Sequence, residues 1–156
     1  MDYEIVEGQH SDEAEIVALL PRLADFSVPE HRAPEELWHG DRDLVQAWAA
    51  GNRSDVRVAI ARRAGNVCGV AVVSARKELL SGEASAHLEI LAIDAEAEGL
   101  GIGTALLKEA DKMALSLGAG SLSLHVFSNN HRARALYARN GFTDEISRYF
   151  KKLQVN

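Results

Sequence analysis

The chain has 156 residues, 47% of them hydrophobic, a formal net charge of −6 and a single cysteine. That length suits one compact domain over residues 1–156, and the apolar fraction excludes a disordered chain. The acidic balance, without a dense Lys/Arg run, argues against nucleic-acid binding by phosphate neutralisation; no apolar run approaches the roughly 18 residues of a membrane span; and a lone cysteine excludes an intrachain disulfide, which fits a cytoplasmic protein.

Residues 3–7 alternate and predict a first strand. Ser11 is placed to cap a helix carrying Ile16, Val17, Leu19, Leu20 and Leu23, with Asp12 and Glu13 in its first turn. Pro21 ends or kinks that helix near residue 20, and 27–34 reads as a loop. The acidic start of the chain has no apolar core of a secretory signal, so none is expected. Pro34 opens a second helical region, with Leu37, Leu44, Val45 and Trp48 at helical spacing and Gly40 as a break. Within it Asp41 reads first as the cap of a helix over 41–48, and Trp38 and Trp48 as core or dimer contacts.

Strands follow over 56–60, 67–75 and 86–93, joined by turns at 64–66 and 81–83. Cys68 lies in the apolar run of the second and reads as a small buried hydrophobe. The clearest helix spans 102–117, with Ile102, Ala105, Leu106, Ala110, Met113 and Leu117 inward and Gly118 as its stop. A strand over 121–127, a short helix from an Asn130 cap to Asn140, and a last strand over 145–153 complete the chain. The unit from 86 to 127 must be a parallel crossover, right-handed by precedent, whereas the strands joined by short turns are antiparallel. The expected class is α/β: one mixed, mostly antiparallel central sheet with helices on both faces.

Residues 98–104 read EGLGIGT, with three alternating glycines at the start of the strongest helix. A helix N-terminus leaves N–H groups unpaired beside a partial positive charge, and glycines let an anion approach them. The stretch is therefore a candidate phosphate cradle. It is not a dinucleotide fingerprint, because the third glycine would fall on Thr104 or Leu106, and not a P-loop, because no lysine follows Gly103.

The strand 86–93 followed by 98–107 resembles the acetyl-CoA-binding motif of the GNAT N-acetyltransferase superfamily, a strand, then R/Q-x-x-G-x-G/A, then a helix. Residues 130–142, with Asn130, Ala133, Tyr137, Gly141 and Phe142, resemble its second motif, and 149–153 its last strand. The resemblance implies a GNAT fold that moves an acetyl group from acetyl-CoA to an amine of a small molecule or peptide, by direct attack in a ternary complex. It implies a cofactor site at Leu91, Ala92 and Ile93, where the backbone of Leu91 and Ile93 pairs with the pantetheine arm, and at Glu98, Gly99, Leu100, Gly101, Ile102, Gly103, Thr104 and Asn130. It also implies that the strands 86–93 and 121–127 splay apart. Glu98 departs from the motif, which carries Arg or Gln there. Its carboxylate opposes a phosphate unless it turns away or pairs with an arginine such as Arg132 or Arg134.

Transfer to an amine requires that an ammonium of pKa about 10.4 lose a proton, that the carbonyl oxygen find hydrogen-bond donors, and that the thiolate be accommodated. By the resemblance Tyr137 is the candidate acid and Glu89, which interrupts an apolar strand, the candidate base. The second reading of Asp41 is a partner for the ammonium, and that of Trp38 and Trp48 a cage for the substrate; His125 is an outside candidate for proton transfer, and His39, His87 and His125 have no metal-site spacing. No metal, nucleic acid or membrane partner is expected; a homodimer is compatible with this reading. The alternative is a GNAT-fold regulatory domain that binds acyl-CoA without turnover, and the acyl group and the acceptor amine are left open.

Overall fold

The computed structural model describes residues 2–155. Among them five strands form one sheet in chain order: β1 (Glu4–Glu7), β2 (Val56–Arg63), β3 (Asn66–Lys77), β4 (Ala84–Ile93) and β5 (Leu122–Leu124). All neighbours are antiparallel except β4 and β5, which are parallel and joined through α3 (Ile102–Ser116). Helices α1 (Glu13–Leu19) and α2 (His39–Ala49) precede β2, and α4 (His131–Arg139) follows β5. The mixed α/β sheet and its crossover are those the sequence predicts.

Both faces of the sheet are covered, so the strands read as apolar runs and alternation alone does not say which residue faces which way. Val56, Val58 and Ile60 of β2 and Val70 and Val72 of β3 pack with Ile16, Leu20, Val45 and Trp48 of the α1/α2 side. Ala59, Ala61, Ala71 and Val73 pack with Ile102, Leu106 and Ala110 of α3. Each fully buried Leu, Ile or Val contributes about 2 kcal/mol of burial. On β4 the alternation breaks. Ala86 and Leu88 face α3, but Ile90 and Ala92 face α1 and α2. The cause is a bulge: Val73 pairs with Leu88 and Val72 with Ile90, leaving Glu89 as the extra residue.

Five expectations change. Residues 142–155 form no strand. A strand needs a ladder, and β5, expected over 121–127, offers only Leu122–Leu124. Phe150 instead stacks on His31 with ring centres 4.7 Å apart, beneath the Arg32 guanidinium. The break in the second helical region falls at Trp38, between a 3-10 turn (Pro34–Leu37) and α2, and Gly40 and Asp41 lie inside α2. Asp41 is therefore not its cap. Nor does Ser11 cap α1. The buried Asp12 does the polar work at that corner, accepting the Gln9 N–H at 2.8 Å and pairing with Arg62 of β2 at 2.5 Å. As Pro21 predicts, α1 ends at Leu19 and passes into a 3-10 turn over Leu20–Ala24.

Candidate active site

The bulge at Glu89 marks where β4 and β5 part. They pair only from Ala86–Leu122 to Leu88–Leu124, yet β4 runs on to Ile93. A bulge bends its strand, and this one opens a gap along the free edge of β4. The Asp94 N–H donates to the Cys68 carbonyl at 2.8 Å, and Gly69 is opposite Ile93. Alternation along the ladder then turns Ala92 towards β3, and the N–H and C=O of Leu91 and Ile93 towards the gap. Ala92 is a correction: its polar groups face β3 and its side chain is core. The Ile93 carbonyl accepts Arg22 Nε at 3.0 Å.

At the end of the gap lies the glycine stretch. Gly99 and Gly101 have φ of 79° and 81°, a left-handed backbone that a side chain strains, and Gly101 leads into α3. Gly103 has a different reason: a Cβ there would meet Leu136 of α4 at 3.1 Å and Ile93 at 3.2 Å. The first backbone bond of α3 runs from the Ala105 N–H to the Gly101 carbonyl at 3.1 Å. Among the described residues, none accepts a hydrogen bond from the N–H groups of 99–104. Open N–H groups at a helix N-terminus fit a pyrophosphate.

Glu98 does not stand unpaired before them. One carboxylate oxygen pairs with Arg22, from the 3-10 turn after α1, and the other with Arg132 of α4 at 2.9 Å. Arg22 also pairs with Asp25. Asn130 caps α4, its side chain accepting the Ala133 N–H at 3.3 Å.

On the α2 side of the sheet, Asp41, Leu44, Arg53, Ser74, Arg76 and Glu89 line an open pocket of about 470 Å³. Glu89 Oε1 accepts from Ser74 Oγ at 2.7 Å and from Arg76 at 2.6 Å, whereas Oε2 has no partner among the described residues. Arg53 is held by both oxygens of Asp55, each at 2.9 Å. Asp41 has no hydrogen-bond partner among the described residues; burial, and then the charge of Glu89, push its carboxyl up to about 7. Beside the pocket His87, buried, hydrogen-bonds Ser123 Oγ at 2.8 Å with its ring 4.8 Å from that of His125. Burial first, then Arg76, push His87 down to about 4, so it is neutral at physiological pH.

Across the sheet Tyr137 of α4 packs edge-on against Phe142, with ring centres 5.7 Å apart, at the rim of the α3-side core. Its hydroxyl has no partner among the described residues, and burial pushes it up to about 12. Cys68 is buried as expected, and burial raises its thiol above the usual range.

The structure thus gathers Glu89, the Leu91 and Ile93 backbone and residues 98–104 along one gap, with Tyr137 on the opposite side of the sheet from Glu89. It adds Arg22, and it pairs Glu98 with Arg132 rather than Arg134. Arg132 is one of the two arginines that the sequence offers as a partner for Glu98. Asp41 was masked by a simpler role as a cap, and Arg22 lies 76 residues from Glu98 with no local signal.

A family model described as "Acetyltransferase (GNAT) family" matches residues 20–142. A mycothiol acetyltransferase of Beutenbergia cavernae is 38% identical over 60 residues, a match spanning 38% of this chain and 20% of that relative. An aminoglycoside antibiotic 6'-N-acetyltransferase from Acinetobacter baumannii has a similar structure, with a TM-score of 0.69 at 20% identity, covering 98% of this chain and 99% of that one. So has AAC(6')-Iy in complex with the bisubstrate analog CoA-S-monomethyl-acetylneamine, with a TM-score of 0.71 at 16% identity, covering 99% and 100%. At these identities the structures show a shared fold.

Proposed function

The chain belongs to the GNAT acetyltransferase family, and on that premise we propose that it transfers the acetyl group of acetyl-CoA to an amine bound in the pocket of Asp41 and Glu89. The observation that carries this reading is the gap between β4 and β5. Open N–H groups lie at one end of it, at 99–104, and a carboxylate pocket lies at the other, beside the bulge. The resemblance of 98–104 to the acetyl-CoA motif supports placing the cofactor's phosphates at the first and its thioester near the second.

The residues divide the work as follows. The backbone of Leu91 and Ile93 binds the pantetheine arm as a strand edge would, and an N–H there faces the charge that develops on the carbonyl oxygen. Asp41 and the free oxygen of Glu89 attract the ammonium and take its proton, directly or through water. Removing that proton at pH 7 costs about 4–5 kcal/mol, and a carboxyl poised near neutrality is a better acceptor than one near 4. The amine nitrogen bonds to the carbonyl carbon, the C–S bond breaks, the nitrogen's second proton passes to water, and the thiolate meets the Tyr137 hydroxyl. With that phenol at about 12, proton transfer to a thiolate of pKa about 8.5 is uphill by roughly 4–5 kcal/mol. Tyr137 therefore acts as a hydrogen-bond donor to the departing sulfur, with its proton delivered as water re-enters. This is a stronger opposition than a phenol at its ordinary value would meet.

The test is release of free thiol from acetyl-CoA in the presence of aminoglycosides, amino sugars, amino acids, polyamines and peptides. Amine-dependent release is expected. Silence across the panel with intact CoA binding would favour the non-catalytic, acyl-CoA-binding alternative.

Glu89→Gln is expected to lower kcat/KM by about tenfold or more, in the range of general-base removal. It should also move the acid limb of the pH–rate profile to lower pH, because Asp41 no longer feels the Glu89 charge that helps raise it. An acid limb in the same place would separate the two carboxylates.

A further inference from the structure

Glu98 stands where the motif it resembles carries a cation or an amide, and the structure shows what it does with its charge. Arg22, on one side, is fully committed: Nε to the Ile93 carbonyl, one terminal nitrogen to Asp25 and the other to Glu98. Arg132, on the other, spends one terminal nitrogen on Glu98 at 2.9 Å and is otherwise free: its side chain is 73% exposed, and its Nε and second terminal nitrogen have no partner among the described residues. The neighbouring Arg134 is occupied, bonding the Ser128 carbonyl and Asp144.

Arg132 also sits against its own helix. The first turn of α4 carries His131 and Arg132 and no acidic residue, although a helix N-terminus favours anions and repels cations. That arrangement is relieved when an anion lies beside it. The contact of Gly103 with Leu136 sets α4 against the start of α3, so the guanidinium held by Glu98 borders the unpaired N–H groups of 99–104.

We propose that Arg132 is a clamp on the pyrophosphate of CoA, supplied from α4 in place of the cation missing from the turn, and that Glu98, buttressed by Arg22, is the residue that positions it. The proposal rests on the acetyl-CoA reading above. It reverses the sign expected of Glu98: its carboxylate promotes phosphate binding by holding a guanidinium that has donors to spare, and a bidentate guanidinium–phosphate contact is geometrically favoured.

The experiment is isothermal titration of the full chain with three probes: CoA, 3'-dephospho-CoA, which keeps the pyrophosphate, and pantetheine, which has no phosphate. Arg132→Gln is expected to weaken CoA and 3'-dephospho-CoA alike, by about tenfold, and to leave pantetheine unchanged. Glu98→Gln is expected to weaken both nucleotides by about threefold or more. The melting temperature of unliganded Arg132→Gln should match wild type, because the side chain is exposed, so a loss of binding is not a loss of fold. Unchanged CoA affinity in Arg132→Gln, tighter binding in Glu98→Gln, or a loss confined to CoA with 3'-dephospho-CoA spared would each overturn the clamp. A wild-type chain that binds neither nucleotide would overturn the acetyl-CoA reading and this proposal with it; wild-type binding with indifferent variants overturns the clamp alone.

Discussion

Asp41→Asn is expected to make the protein more stable at pH 8 and less active there. The Asp41 carboxyl is pushed from 3.8 up to about 7, with burial the first cause and the charge of Glu89 the second. A raised value means that the folded state holds this proton more tightly than the unfolded chain does. The favourable contribution is therefore present at acid pH and is lost as pH rises through about 7. At about 1.36 kcal/mol per unit the whole shift corresponds to roughly 4 kcal/mol, and the pocket's opening to solvent brings the expected gain of the asparagine variant to about 2 kcal/mol. Urea denaturation should show that gain at pH 8 and almost none near pH 4. An equal gain at both values would mean that charge is not the cause. The same substitution is expected to lower kcat/KM for cationic amines by about tenfold to a hundredfold. A stable and inactive variant places Asp41 in function, because a residue kept for folding alone would not carry a partly desolvated, unpartnered carboxylate.

Tyr137→Phe is expected to cut kcat by about a hundredfold while the affinity for acetyl-CoA stays within about twofold. The hydroxyl has no partner among the described residues, so removing it breaks no hydrogen bond within the protein and relieves a partly desolvated polar group. The ring keeps its edge-on contact with Phe142. Stability should therefore hold or rise by about 1 kcal/mol, which separates a chemical role for the hydroxyl from a packing role for the ring. Steady-state rates, with acetyl-CoA titrated separately, decide it. Unchanged kcat would leave the thiolate to water.

Much of this molecule is legible along the chain because its signals are local. The turns at 64–66 and 81–83 force β2, β3 and β4 to be antiparallel, and the helix between β4 and β5 forces that pair to be parallel. Pro21 ends α1 where a proline must. The glycines of 99–103 announce a helix start able to take an anion, and the second motif around Tyr137 points to the family.

What the sequence could not decide is whatever depends on partners distant along the chain. The bulge at Glu89 is invisible in an apolar run buried on both faces, since either phase of the alternation is acceptable until register with β3 is set. The last strand failed for a related reason: residues 145–153 have the composition of a strand, but strands form by pairing, and β5 ends before it can template one. The sequence around Asp41 suggests a local role as a cap, which the fold does not use; only the packing of α2 over Glu89 partly withdraws its carboxylate from water. Glu98 shows the limit most clearly. By residue type it repels a phosphate, and by tertiary structure it is the anchor between Arg22 and Arg132. A charge is written in the sequence, whereas its effect depends on which counter-charges the fold brings within a few ångströms.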